Sequence, residues 1–250
     1  MCGRYTITVS PRELGERFSA EMMIGDWAPR YNAAPTQDLP VVLNADRRTI
    51  ELLRWGLIPS WAKDPAIGNR MINARSESLA EKPSFRAAFK RRRCLVVADG
   101  FYEWDSRPDG KVPMRIALAD DAAFAFAGLW ERWTDPKGGV IRSFTIVTTE
   151  ANDRLRPIHE RMPVILRPEA EALWLERDAD PEDLREILRP YESDAVRAYA
   201  VSRRVNSPRN DDPALILAVE APPARTDQEA DAPAPPAQAP NEPDLFGGNI

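Results

Sequence analysis

Removal of Met1 would leave Cys2 with a free α-amine and a thiol on one residue. Methionine aminopeptidases act before small residues, and Cys is one. With ordinary values of roughly 7.7–8.0 for an α-amine and about 8.5 for a thiol, both nucleophiles are partly available near neutral pH. A 1,2-aminothiol reacts with aldehydes in a specific way. The amine condenses to an imine, and the thiol closes on the imine carbon to give a five-membered thiazolidine. The bland alternative is that Cys2 is an ordinary second residue.

Proton transfer near neutral pH has one obvious candidate, since His159 is the sole histidine. It lies in Arg156-Pro157-Ile158-His159-Glu160-Arg161-Met162-Pro163, after an expected strand and a polar loop, where a scaffold often carries catalytic groups. A solvent-exposed loop histidine is the alternative. Glu103 stands between Tyr102 and Trp104 in Asp99-Gly100-Phe101-Tyr102-Glu103-Trp104. Burial among aromatics raises a carboxyl pKa and suits it to proton transfer; an edge-strand Glu, or one paired with Arg, is the commoner fate.

Other segments could hold a strand of nucleic acid. Trp55 and Trp61 flank a turn in Arg54-Trp55-Gly56-Leu57-Ile58-Pro59-Ser60-Trp61, where they serve either as stacking platforms for unstacked bases or as core residues. In Ile72-Asn73-Ala74-Arg75-Ser76-Glu77, Asn73 offers a donor and an acceptor to a sugar, and Arg75 a fork for phosphate. Arg91-Arg92-Arg93 reads as a solvated face that could touch phosphate.

These residues need a scaffold, and the pattern suggests mostly strands between Pro- and Gly-rich turns. Strands are expected at 39–43, 49–56, 94–99, 113–119, 123–133, 141–148, 162–166 and 196–201. Ser10-Pro11-Arg12-Glu13 is a capping box that opens a helix to about Phe18. Pro168 to Leu175 reads as helical, and Asp180-Pro181 opens another helix with Leu184, Ile187 and Leu188 on one face. Strands outnumber helices without alternating with them. The expected fold is α+β: a single compact domain with a large, curved, mainly antiparallel sheet and a few peripheral helices.

The 250 residues, 43% hydrophobic and 29% charged, suit a globular protein. Residues 1–220 form the expected domain. Residues 221–250 are Pro/Ala-rich, too poor in large apolar residues to offset ordering entropy, and read as a disordered acidic tail. Of the net charge of −5, −4 belongs to this tail, so the body sits at −1. That balance neither supports nor excludes a nucleic-acid partner. No apolar run reaches the length of a membrane span, and the start lacks a signal-peptide pattern, which points to the cytoplasm. Cys94, in an apolar run, reads as a small core residue. With one His and two distant Cys, no metal set is expected and no cofactor is called for.

Six separated blocks carry a resemblance. Met1 to Tyr5, Arg30 to Pro35, Arg54 to Pro59, Asn73 to Glu77, Gly100 to Trp104 and His159 to Pro163 resemble the abasic-site processing family, also called SOS-response-associated peptidases (SRAP). The resemblance covers residues 1 to about 220. It implies a compact α+β domain with a positively charged channel for single-stranded DNA. Cys2 would be the nucleophile that forms a thiazolidine with an abasic deoxyribose and shields the strand from breakage. Asn73 would position the opened sugar, Glu103 would manage protons, and His159 would help open the ring. Arg4, Arg75 and Arg161 would contact phosphate; as aromatics, Trp55, Trp61 and Trp104 are candidate contacts to the strand independently of the resemblance. Removal of its own Met1 and strand cleavage through the Schiff base are activities also credited to the family. The DNA setting adds a nucleoid association to the cytoplasmic one.

In the tail, Glu242-Pro243-Asp244-Leu245-Phe246 resembles the Gln-x-Asp-Leu-Phe peptides that bind a replicative sliding clamp, with Glu in place of Gln. Asp244, Leu245 and Phe246 would make that contact, unless chance in a low-complexity tail produced the match. Two rival readings stand. An N-terminal-nucleophile hydrolase of the glutamine amidotransferase type also begins Met-Cys-Gly, though usually with apolar residues next. A non-catalytic single-strand binding module would carry Cys2 by accident.

Overall fold

The computed structural model describes residues 2–24, 27–43 and 48–220. The acidic tail and its Asp244-Leu245-Phe246 peptide lie outside the described residues. The chain runs through β1 (Tyr5–Ile7), α1 (Pro11–Phe18), β2 (Glu21–Met22), β3 (Arg30–Ala33), β4 (Asp38–Leu43), β5 (Thr49–Trp55) and β6 (Asn73–Arg75). Helix α2 (Arg86–Arg91) leads into β7 (Arg93–Ala98), β8 (Gly100–Arg107), β9 (Gly110–Leu118), β10 (Phe124–Thr134) and β11 (Val140–Glu150). Last come β12 (Arg161–Pro163), β13 (Ile165–Leu166), α3 (Pro168–Leu175), α4 (Pro181–Glu186) and β14 (Val196–Ala200).

The expected α+β class and single compact domain hold, with two sheets in place of one. The larger follows the order β12-β11-β10-β7-β4-β5-β2, and β11 also pairs β5 in parallel through Ser143↔Arg54 and Phe144↔Trp55. That pairing closes β11-β10-β7-β4-β5 into a barrel, which leaves these five strands without an open edge. The smaller sheet, β14-β9-β8-β1-β3, is antiparallel throughout. One apolar core spans both, with Tyr5 and Phe101 from the small sheet against Trp55, Phe126 and Phe144 of the barrel. Tyr5 meets Trp55 edge-on at 5.1 Å and Phe126 at 6.0 Å. No helix among the described residues is long and apolar enough to cross a membrane.

Local chemistry explains the elements. Ser10 caps α1 through the expected reciprocal box with Glu13. The loop between β5 and β6 is pinched shut where Gly56, at φ +123°, meets Gly68. A Cβ on Gly56 would lie 2.6 Å from the Gly68 carbonyl oxygen, so both positions need glycine.

The Arg91-Arg92-Arg93 reading is corrected. Arg91 is exposed at the end of α2, but Arg92 pairs with Glu131 at 2.7 Å and Arg93 is fully buried. Arg93 donates to the carbonyls of Phe89 (2.7 Å), Lys90 (2.8 Å) and Trp174 (2.7 Å), and to that of Glu176. These are the orphan carbonyls at the ends of α2 and α3, and a cation there also suits both helix dipoles. Arg93→Met is expected to cost about 3 kcal/mol or more, because it strands several buried acceptors at once. A urea titration checks this: the midpoint should fall with the slope unchanged.

Candidate functional site

The chain start is held by β1, which sits in the small sheet between β3 and β8. Tyr5 pairs with Phe101 and Thr6 with Gly100, and the Tyr102 N–H donates to the Arg4 carbonyl at 3.0 Å. Continuing that register backwards sets Gly3 opposite Glu103 and Cys2 one residue further on, opposite Trp104. A buried network locks the strand in place. The Asp99 carboxylate accepts from the Thr6 hydroxyl, and from the Thr8 N–H and hydroxyl, while Arg115 donates to it at 3.2 Å. Gly100 is required here, since a Cβ would lie 2.7 Å from the Arg115 guanidinium carbon.

Cys2 itself departs from the expectation of an exposed aminothiol. In the chain that still carries residue 1 its nitrogen is an amide, and the side chain is 0% exposed. Burial, and then the nearby Glu103 charge, push the thiol well above its ordinary pKa. Its Sγ sits 3.7 Å from the Arg4 carbonyl oxygen. In this form the thiol is held protonated and covered.

Two of the anticipated residues, Asn73 and Glu103, lie beside it, and His159 joins Glu103. On β6, paired in parallel with β11 (Ile146↔Asn73), Asn73 and Arg75 share one face while Ala74 turns inward. The Asn73 amide donates to the Cys2 carbonyl at 2.8 Å. Its Oδ1 is buried and accepts no hydrogen bond among the described residues, which leaves an acceptor ready for an incoming hydroxyl. Glu103, on β8, is 5% exposed. It shares with His159 a narrow recess that includes Ile158 and Arg161, and also an open cleft of about 600 Å³ with Trp104, Lys111 and Asn206. Cys2 is fully buried and does not line that cleft.

His159 is steered by its own loop. Its Nδ1 lies 2.9 Å from the Arg161 amide nitrogen, whose N–H donates to it, and 3.1 Å from the Arg161 carbonyl oxygen. When Nδ1 accepts that N–H, a neutral ring carries its proton on Nε2.

The proposed DNA contacts separate into groups. Trp104 is half-buried at the cleft, and its indole donates to Asn206 Oδ1 at 2.8 Å. Arg75 is exposed beside Asn73. Trp61 is 57% exposed in a different depression of about 640 Å³ with Lys63 and Arg70, which shares no lining residue with the Glu103 cleft. Trp55 is corrected: it is fully buried, stacked on Phe144 at 6.3 Å, with its indole donating to the Ile72 carbonyl. No base can reach it. Arg161 and Arg4 are committed internally. Arg161 holds Glu77 with a two-pronged fork at 3.0 Å each and donates to the Thr148 carbonyl at 2.7 Å. Arg4 donates to Asn32 Oδ1 and the Val205 carbonyl, both at 2.9 Å.

Two contributors escaped the sequence reading. Asn32 gathers the carbonyls of Val205, Ser207 and Asn210, and Asp211 takes the N–H groups of Tyr31 and Asn32. Together they dock a distant segment that brings Asn206 to the cleft. The block Arg30 to Pro35 stood out in the sequence, but nothing local to it named its partner.

Known proteins resemble the chain in sequence and in fold. A family model described as SOS response associated peptidase (SRAP) matches residues 1–208. The chain is 46% identical over 221 residues to the abasic site processing protein YoqW of Bacillus subtilis (strain 168), covering 86% of this chain and 99% of the relative. It is 31% identical over 265 residues to the abasic site processing protein HMCES of Xenopus tropicalis, covering 88% and 78%. Among solved structures, a protein from Bacteroides thetaiotaomicron is similar with a TM-score of 0.81 at 26% identity, covering 88% of this chain and all of the other.

Proposed function

Because the chain belongs to the SOS response associated peptidase (SRAP) family, as the match over residues 1–208 establishes, we propose that it processes abasic sites in single-stranded DNA through Cys2 as a covalent nucleophile. The observation that carries this reading is the convergence on Cys2 of Asn73, hydrogen-bonded to its carbonyl, and Glu103, whose charge reaches its thiol. Relatives named for abasic site processing support the substrate class.

The order of events follows from the chemistry. Residue 1 must leave first, since an amide nitrogen cannot condense with an aldehyde. The family's description as a peptidase suits self-removal of Met1. An abasic deoxyribose is mostly a closed hemiacetal, so ring opening comes next, with His159 shuttling the proton. The Cys2 amine adds to the aldehyde carbon. The resulting carbinolamine loses its hydroxyl as water, with Glu103 supplying the proton, and an imine forms. The thiol sulfur then bonds to that carbon while its proton passes to nitrogen. The net change is protein plus DNA minus one water. The unpartnered Asn73 Oδ1 is suited to accept from a sugar hydroxyl. An imine that loses its neighbouring carbon-bound proton before closure leads instead to strand cleavage. Thiazolidine closure removes the imine, and so protects the strand.

The test is a pair of single strands, one with a true abasic site and one with its tetrahydrofuran analogue, which cannot open to an aldehyde. A complex resistant to heat and denaturant should form on the first alone. Non-covalent, salt-sensitive binding to both would leave only a binding module.

A second partner rests on the tail. We take Asp244-Leu245-Phe246 as a docking peptide for a sliding clamp. A peptide spanning residues 238–250 should bind a bacterial clamp, and Phe246→Ala should abolish binding. Equal binding by both peptides removes the idea.

A further inference from the structure

A basic cleft lies away from Cys2 on the same molecule. It measures about 820 Å³ and is floored by Ala80, Ala87, Phe89 and Leu184 between α2 and the start of α4. Five cations line it: Arg86, Lys90, Arg91, Arg177 and Arg185, all exposed. Two carboxylates, Asp178 and Asp180, share the lining, so the cations outnumber the anions five to two. Asp180 caps α4 by accepting from the Glu182 N–H at 2.8 Å, and Asp178 adds to the field around buried Arg93. Arg185 also pairs with Glu182 at the rim. The body of the protein sits near charge balance, so this excess is a local concentration rather than a share of a general surplus.

An adjoining depression lies between the cleft and the segment that follows Asn73 and Arg75. Ala80, Phe89 and Arg185 also line this depression of about 250 Å³, whose other side is Ser76 and Glu77. Glu77 is gripped by Arg161, and Arg161 lines the recess of Glu103 and His159. The depression and the recess share no lining residue; the Glu77–Arg161 ion pair stands between them, and Arg75 directly precedes Ser76 and Glu77 in the chain.

We infer that the α2–α4 cleft is a second contact for the phosphate backbone of the same DNA strand, engaging one flank several nucleotides from the abasic site. The ligand follows from charge: a chain of monoanions matches a cluster of exposed cations in a cleft whose neighbouring depression reaches the segment beside Arg75. The inference rests on the abasic-strand reading for the identity of that strand. The cleft adds affinity and leaves the chemistry at Cys2 untouched.

The test uses the full chain carrying Arg86→Glu and Lys90→Glu, both on the exposed face of a helix. Arg12→Glu with Lys137→Glu, both exposed and outside these clefts, makes the same change in overall charge and is the control. Tetrahydrofuran strands with flanks of about three nucleotides are compared with strands extended to about twelve on the 5′ or the 3′ side alone. The double variant should bind one of the extended strands ~10-fold more weakly than the parent, with a salt slope shallower by about 1.4. It should match the parent on the short strand and in its rate of capture at saturation. Parent-like binding of both extended strands, or equal weakening on short and long strands, overturns the inference. A parent that binds with this flank dependence but never crosslinks would sink aldehyde capture and leave the second contact standing.

Discussion

Cys2→Ala is expected to abolish the heat-stable adduct while leaving an N-terminal amine that still meets the aldehyde. Alanine is small enough for Met1 to be removed, so the variant retains the nitrogen and loses only the sulfur. An imine then forms with no thiol to close it. Two readouts should move in opposite directions: the denaturant-resistant band disappears, and strand cleavage rises, because the imine acidifies the neighbouring carbon. Borohydride, which reduces an imine to a stable amine, should restore a crosslink in the variant. Cys2→Ser tests the same point with less disturbance of a fully buried position. Its hydroxyl is the poorer nucleophile, so its ring-closed product should accumulate weakly. Parent-level adduct from the alanine variant would exclude the thiol from the product.

Glu103→Gln should leave binding intact and slow capture by about 10²–10⁴-fold, the usual range for loss of a positioned acid–base group. The substitution keeps the shape of a side chain that is 5% exposed, so the fold should tolerate it. The transferable proton is lost together with the negative charge that acts on the Cys2 thiol. Single-turnover capture separates the effects: the rate at saturating abasic strand should fall, and affinity for the tetrahydrofuran strand should stay within about twofold. If capture proceeds at the parent's rate, Glu103 carries no proton in the slow step. His159→Gln should have its larger effect at ring opening, and a substrate with a greater open-chain fraction should partly rescue it.

The long barrel strands could be read because their signals are local. Runs such as Val41 to Leu43 and Cys94 to Ala98 are apolar throughout, and each lies in a strand buried on both faces. The Ser10–Glu13 box is equally local and was realised as read. What escaped depends on distant partners. Strands β1 and β6 have three residues each, too few to show a period, and exist because β8 and β11 pair with them. Helix α2 has no side-chain cap to announce it.

The site was legible by residue type more than by placement. Asn73, Glu103 and His159 stood out as chemistry, and the fold gathers them. Trp55 could serve a base or the core on sequence alone. Its place at the end of β5, facing Phe144 across the barrel closure, decides for the core. The burial of Cys2 was not readable either, since it depends on β1 being locked beside β8 by Asp99 and Arg115. Under the proposed aldehyde capture, that burial gives removal of residue 1 a sharper role: it would make the amine, and the thiol would have to be uncovered as well.

The most direct measurement is intact mass spectrometry of the purified chain, alone and then after incubation with an abasic oligonucleotide. The first spectrum should lack the mass of Met1. The second should gain one oligonucleotide less one water, on the peptide that begins at Cys2. Active protein that still carries Met1, or an adduct mapped to a lysine elsewhere, would contradict capture by the chain's own aminothiol.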